Sequence, residues 1–264
     1  MAERLDAYLV RTGLAKSRER AKAMIKNGSV TVNGRICDKP SQTVEESDTV
    51  EAGSDLAYVG RGALKLEKAF EVFKPEVAGL VCADLGASTG GFTELLLDRG
   101  ASKVYAVDVG HGQLDEKLCR DSRVVNMEGT NVRGLDASSF GEDIGFVTAD
   151  LSFISLTVVM PVISGMLCPG GRAVVLIKPQ FEAGRENIGK NGIVKDRKVH
   201  IEVLRKLTAA FGECGLSLRG LTHSPVKGGS GNTEYLAYLI KSEDPPVCID
   251  VKAVVEAAFS DLKE

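Results

Sequence analysis

Four side chains, far apart in the chain, are of the types that move protons: Lys65, Asp150, Lys178 and Glu234. Lys65 lies in Gly62-Ala-Leu-Lys-Leu, Asp150 ends Thr148-Ala-Asp, Lys178 ends Val174-Val-Leu-Ile-Lys, and Glu234 opens Glu234-Tyr-Leu-Ala-Tyr-Leu. Singly, each has an ordinary reading: a surface lysine, a helix cap before Leu-Ser-Phe, a strand terminator and a charge at a strand start. Two lysines and two acids at the ends of predicted elements can instead converge above one sheet. A lysine accepts a proton only from its neutral form, and burial or a second ammonium nearby lowers its pKa. Acids beside it orient it and offset charge. The chemistry in view is general acid–base catalysis on a group that loses a proton as it attacks.

A ligand loop accompanies them. Asp84-Leu-Gly-Ala-Ser-Thr-Gly-Gly follows a predicted strand and opens a helix, with glycines at 86, 90 and 91 that let backbone pass close to a ligand. It is neither a GxGxxG dinucleotide fingerprint nor a triphosphate loop, since no Lys-Ser/Thr follows. Asp108, 24 residues on, ends the next strand, where a carboxylate can accept both hydroxyls of a ribose. Loop plus acid reads as a nucleoside site with no pyrophosphate requirement, and S-adenosylmethionine fits it. Asp84 and nearby backbone are expected to hold the amino-acid tail. A second pattern, Gly184-Arg-Glu-Asn-Ile-Gly189-Lys190, matches GxxxxGK, but Asn191 stands where a magnesium-binding hydroxyl belongs and Gly192 follows. It reads as a mobile loop, not a nucleotide site.

These residues need a scaffold, and the pattern supplies one. Apolar runs at 80–83, 103–108, 124–127, 145–150 and 172–178 read as strands. Helical stretches over 92–99 and 198–211 lie between and after them, and 216–221 and 234–240 close the set as strands. Apolar strands separated by helices predict a parallel sheet covered on both faces. Such sheets bind ligands at the carboxyl ends of their strands, where Asp84, Asp108, Asp150 and Lys178 fall.

The chain has 264 residues, 44% hydrophobic and 26% charged, with a net charge of −3. That composition excludes a disordered chain, a rod and an all-over cationic coat for nucleic acid, so any basic surface is local. Six scattered cysteines without a CxxC pair suit a reducing cytosol, not a disulfide scaffold or zinc ribbon. The uncharged stretch from Leu151 to Gly171 is broken by serines, prolines and glycine and is a poor membrane span. No metal-ligand set is read, and His111, His200 and His223 are scattered enough for solvated or structural roles.

Charge is uneven. Residues 1–40 carry nine Lys/Arg and four Asp/Glu, whereas 41–55 carry five acids and no base, which marks a boundary near Leu56 to Gly60. Leu5, Tyr8 and Leu9 share helical spacing, and a second helix is predicted over Arg18 to Asn27, stopped by Asn27-Gly28. Ser29 to Val32 alternates as a strand, and Asn33-Gly34 signals a hairpin. The second helix carries Arg18, Arg20, Lys22 and Lys26 mostly opposite its apolar face.

Residues 3–52, through SRERA, KNGSVTVNG and KPSQTV, closely resemble the alpha-L RNA-binding motif of a ribosomal small-subunit protein and of pseudouridine synthases. The resemblance implies binding to structured RNA, with Arg4, Arg18, Arg20, Lys22 and Lys26 as contacts to it. Basic side chains on phosphates supply affinity and positioning more than sequence information. Tyr8 is the segment's one aromatic residue, which speaks for folded RNA over stacked single strands. From Tyr58 to Lys241 the chain resembles the FtsJ-type ribose 2′-O-methyltransferases, whose catalytic Lys-Asp-Lys-Glu set falls on Lys65, Asp150, Lys178 and Glu234. RGALKLEKA, DLGASTGGFT, TADLSFISL, IKPQFEAGR and GNTEYLAYL carry the likeness, and the whole chain is similar to the TlyA family.

That family resemblance implies a Rossmann-like α/β methyltransferase domain over 58–264, preceded by a small α+β RNA-binding domain over 1–57. It implies S-adenosylmethionine as cofactor, held by Asp84, Gly86, Ala87, Ser88, Gly90, Gly91, Phe92, Asp108, Val109, Gly110, Gln113, Leu114, Asn131 and Asp150. It implies Lys178 as general base and ribosomal RNA, in one or both ribosomal subunits, as substrate, with cytidine the nucleotide. A cytoplasmic location and no membrane partner go with it. The segment Asp55-Leu-Ala-Tyr-Val-Gly is expected to link RNA recognition to the cofactor site. Base methylation fits less well, because Asp150-Leu-Ser-Phe153 lacks the prolines of amino-methylating enzymes and Cys168 sits in a Cys-Pro-Gly turn predicted to end a helix. A catalytically silent assembly factor and a cytolysin, suggested by the family's haemolysin label, are the alternatives.

Overall fold

The structure, a computed structural model, describes residues 2–15, 17–26, 29–52, 58–60 and 62–262, without the side chains at 19, 23 and 26. The predicted helix stop Asn27-Gly28, the Lys26 side chain and residues 55–57 of the expected linker lie outside the described residues.

At the N-terminus, β1 (Glu3–Arg4) leads into α1 (Leu5–Arg11) and α2 (Arg18–Lys26), then β2 (Val30–Val32), β3 (Arg35–Ile36), β4 (Thr43–Val44) and β5 (Val50–Ala52). Strands β3-β2-β5 form an antiparallel sheet, and β1 pairs with β4. Leu5 with Leu9 and Ala21 with Ile25, four residues apart on their helices, meet Val30 and Val44 in one buried cluster. Asp6 is buried beside them, where Arg4 Nε donates to it at 2.9 Å and Arg18 Nη2 at 3.3 Å.

Next come α3 (Ala63–Phe73), β6 (Val81–Leu85), α4 (Gly91–Asp98), β7 (Lys103–Asp108), α5 (Glu116–Cys119) and β8 (Val124–Glu128). Then follow β9 (Ile144–Ala149), α6 (Leu156–Met166), β10 (Leu167–Ile177), α7 (Arg197–Glu213), β11 (Leu216–His223), β12 (Tyr235–Lys241) and α8 (Val251–Asp261). The seven strands lie in the order β11-β12-β10-β9-β6-β7-β8. Side chains alternate between two apolar layers. Ala83, Leu85, Val147 and Ala149 face the layer of α6, α7 and α8, while Cys82, Phe146, Val174 and Leu176 face α3 and α4. Strand order reverses between β6 and β9, and in such sheets a ligand crevice opens at the carboxyl ends of the two strands that part there.

The structure corrects the sequence reading in three places. The sheet is mixed, because β12 runs antiparallel to both β10 and β11. The hydrophobic pattern could not separate the two cases, since a central strand buried on both faces is apolar in either direction. Cys168 does not end a helix. Leu167 already has extended backbone, and Leu167–Ile177 is one strand whose register against β9 shifts between Leu167 and Arg172. Helices α3 and α8 were not predicted, although Leu66, Ala69 and Phe70, and Val255 with Ala258, bury helical stripes. Among the described residues no helix is long and apolar enough to cross a membrane.

Candidate active site

The register between β6 and β9 sets Leu85 opposite Ala149, so the loops that follow them lie side by side. The Asp150 amide donates to the Leu85 carbonyl at 2.9 Å. Gly86 comes next with φ of +84°, and a Cβ there would stand 2.5 Å from the Asp150 carbonyl oxygen. Only glycine combines that conformation with that approach. Asp150 is thereby held at the mouth of the crevice.

Three more elements deliver the other members of the set. Lys65 projects from the first turn of α3, Lys178 follows β10, and Glu234 precedes β12. Lys65 Nζ is 2.7 Å from Glu234 Oε2 and 3.4 Å from Asp150 Oδ2. Lys178 Nζ is 2.5 Å from Asp150 Oδ1 and donates to Ser152 Oγ at 3.0 Å. One carboxylate therefore bridges the Nζ atoms of two lysines, and a second carboxylate holds the far side of one of them. Lys178 and Glu234 are buried. The Gly228 backbone packs on Glu234, since a Cβ there would meet Oε1 at 2.2 Å.

The charges push one another apart in acidity. Burial acts to lower the pKa of Lys65, but Asp150 and Glu234 outweigh it and the net shift is upward. Burial acts to raise the pKa of Asp150, and Lys65 and Lys178 overcome it, so the carboxylate stays ionised below the usual range. From the sequence, Lys65 is the second ammonium beside the base Lys178, and its surroundings hold it in that charged form. The two acids flanking Lys65, Asp150 and Glu234, decide it.

Two cavities meet at Asp150. The first, about 560 Å³, is lined by Gly86, Ser88, Asp108, Val109, Gln113, Asn131 and Asp150, all predicted from the sequence. Asp108 Oδ2 accepts the Ser88 amide at 2.9 Å and Oδ1 the Gly110 amide at 2.7 Å, which leaves each oxygen a further lone pair for ribose hydroxyls. A carboxylate at the end of β7, a glycine cradle and this volume fit an adenosyl amino acid such as S-adenosylmethionine. The second cavity, about 740 Å³, holds Lys65, Lys178 and Glu234 and reaches Asp38 and Lys39 of the N-terminal domain.

Other predicted residues take different places. Ala87, Gly91 and Phe92 line a small recess beside the loop with Gly60 and Gly62. Gly90 and Leu114 sit behind the loop, where a Cβ on Gly90 would strike Leu118 at 2.1 Å and Leu114 at 2.8 Å. Asp84 does not line the cavity. It is wholly buried beneath the loop, with Thr93 and Thr148 hydroxyls donating at 2.7 and 2.9 Å, and burial pushes its pKa up to about 6. Arg4 and Arg18 are tied to Asp6, and Arg20 reaches Gln113 and Asp115. Lys22 also has a partner within the chain.

Sequence reading passed over Ser152, Thr130 and Arg133. Ser152 sits two residues past Asp150 inside the quoted DLSF segment, and Thr130 and Arg133 flank Asn131 on the first cavity. The loop around Gly189 is fastened, because Asn232 Nδ2 donates to the Gly192 carbonyl at 2.9 Å and Asn232 Oδ1 accepts the Val194 amide at 3.0 Å. His200 is structural, bonded through Nδ1 to the Tyr235 hydroxyl at 2.8 Å and through Nε2 to the Val194 carbonyl at 2.9 Å.

Comparison with known proteins agrees with this geometry. Residues 58–241 match the FtsJ-like methyltransferase family, and residues 3–50 match the S4 domain. The chain is 45% identical to the 16S/23S rRNA (cytidine-2'-O)-methyltransferase TlyA of Mycobacterium tuberculosis, over 99% of this chain and 97% of that one. It is 42% identical to Hemolysin A of Brachyspira hyodysenteriae, over 90% and 99% respectively. A solved structure described as a candidate hemolysin from Streptococcus thermophilus superposes with a TM-score of 0.80 at 44% identity, covering 98% of this chain and 96% of that one. With the Lys-Asp-Lys-Glu cluster assembled at the reversal point of the sheet and an S4 domain ahead of it, the chain belongs to the FtsJ-like methyltransferases, in their TlyA branch.

Proposed function

We propose that the protein transfers a methyl group from S-adenosylmethionine to a ribose 2′-hydroxyl of ribosomal RNA. The observation that carries this reading is Asp150, which bridges Lys65 and Lys178 where the two cavities meet. The cofactor supplies a methyl carbon made electrophilic by its sulfonium. Asp108, Gly86, Ser88 and Gln113 bind and orient it. Attack of the 2′-oxygen on that carbon would displace the thioether, and the hydroxyl proton would pass to Lys178 Nζ, which takes it as the neutral amine. Asp150 and Ser152 steady the ammonium that results. Lys65, kept protonated by its two acids, donates to the attacking oxygen and positions it. Alignment of oxygen and carbon lowers the barrier further.

The substrate reading rests on the relatives and the first domain. The Mycobacterium tuberculosis relative is named for cytidine in 16S and 23S RNA, so cytidine in either subunit is the nucleotide we assign, and the cytoplasm the place of action. The N-terminal domain over 1–57 would grip folded RNA and present it to the catalytic domain over 58–264. Phe153, 90% exposed at φ of +63° on the rim of the first cavity and 5.2 Å from the Phe181 ring, offers a face for the target base.

The test is to incubate the protein with ribosomal subunits and methyl-labelled cofactor, then digest the RNA to nucleosides. Label on ribose is expected. Label confined to bases, or RNA binding with no turnover, overturns the assignment. Lysis of liposomes that survives loss of Asp108 would favour the cytolysin reading instead.

A further inference from the structure

Helix α2 directs Arg20 at the catalytic domain. Its Nη1 donates to the Gln113 carbonyl at 2.6 Å and its Nη2 to Asp115 Oδ2 at 2.5 Å, and its side chain is only 20% exposed. The segment it grips is part of the cofactor cavity. Gln113 lines that cavity, and its side chain fills the space beside Gly110, where a Cβ would lie 1.6 Å from Nε2. Within the catalytic domain, Glu128 gathers the amides of Gly112, Gln113 and Leu114 at 3.0, 2.6 and 3.0 Å. The Asp115 amide donates to Thr89 of the glycine loop at 3.2 Å, and Asp115 Oδ1 caps α5 through the Lys117 amide at 3.0 Å. Arg20 adds a hold from the other domain.

We propose that Arg20 is a positioning residue for the cofactor cavity and not an RNA contact. By gripping one carbonyl and one carboxylate, it sets residues 113–115 in the shape the cofactor meets. The N-terminal domain thereby contributes to cofactor affinity. A guanidinium suits this task because its planar fork donates in two fixed directions, which an ammonium cannot do. Linkage makes the effect mutual: RNA that holds α2 in place favours the cofactor, and the cofactor favours that docking by the same factor. The proposal rests on the first cavity's being the methyl-donor site.

Full-length Arg20→Ala and Asp115→Asn test it. Asparagine keeps the helix cap but removes the charge. Titration with S-adenosylmethionine should show each variant weakened about five- to tenfold, the low end of ordinary coupling, and the double variant no weaker. The KM for cofactor should rise while kcat at saturation stays within about twofold, and Arg20→Lys should recover part of the affinity. Binding to folded ribosomal RNA should keep its salt dependence. Wild-type cofactor affinity in both variants, or a salt slope shallower by about 0.7–0.9 in Arg20→Ala, would overturn the proposal and make Arg20 a phosphate contact. Hydrogen exchange over 112–118, measured without ligand, should quicken in Arg20→Ala. Should the wild type bind no S-adenosylmethionine, the methyl-donor reading falls, and unchanged exchange there would separately dismiss the clamp.

Discussion

Gly86 and Asp150 touch backbone to backbone: a Cβ on the glycine would lie 2.5 Å from the aspartate carbonyl oxygen. That contact couples the glycine loop to the carboxylate between the lysines, so a single methyl group should disturb both cavities. For Gly86→Ala, the left-handed backbone costs about 1–2 kcal/mol and the overpacking about 1–3 kcal/mol more. We expect a lower melting temperature together with loss of both cofactor affinity and turnover. Calorimetry and a methyl-transfer assay on the same preparation check it.

Lys178→Ala should cut kcat by about 10²- to 10⁴-fold, the usual worth of a general base. Cofactor affinity should stay within about twofold, because Lys178 lines the second cavity and not the first. Single-turnover rates with saturating RNA separate the chemical step from product release. A kcat near wild type would take the base role away from Lys178.

The Lys65–Glu234 pair makes a stability prediction. Lys65→Met leaves the Glu234 carboxylate, 3% exposed, without its 2.7 Å partner and should destabilise the fold by about 3–5 kcal/mol. Adding Glu234→Gln removes the stranded charge and should restore most of that stability, with activity still absent. Urea denaturation of the two variants beside the wild type measures the recovery.

Asp84 predicts a pH dependence. Burial raises its folded pKa from 3.8 to about 6, so the folded state binds the extra proton. Its contribution to stability is fully present below about pH 4 and is lost as pH rises through 6. Asp84→Asn should remove that part of the slope. Urea midpoints taken between pH 4 and 7 test this, and identical slopes in wild type and variant would refute it.

Phe153→Ala should slow methylation of RNA by about 5- to 150-fold, the loss of one base stack, with cofactor affinity unchanged. Phe153→Tyr should keep most of the rate. An equal loss of cofactor affinity would make Phe153 part of the first cavity's wall instead.

Much of this was legible in the sequence because it is local. Period-2 apolar runs, the Asn33-Gly34 hairpin signal and helical stripes at three- and four-residue spacing are written in neighbouring residues. They bounded β7 without error and α4 and α7 to within two residues. Polar residues that interrupt apolar runs at strand ends singled out Asp108, Asp150 and Lys178 for the same reason: a buried run breaks only where a charge has somewhere to go. The direction of β12 was not legible, since a strand buried on both faces is a continuous apolar run in either direction.

The residue types and their places at element ends were the sequence's own contribution, and with them the class of chemistry. Only the tertiary structure could decide which charges share a neighbour. It put Glu234, 169 residues away in the chain, beside Lys65, where with Asp150 it outweighs burial and keeps that lysine charged. It sank Asp84 beneath the loop, tied Arg4 and Arg18 to Asp6, and bonded Arg20 to Gln113 and Asp115. Burial and Coulomb energies depend on distances through space, and those distances exist only once the chain has folded.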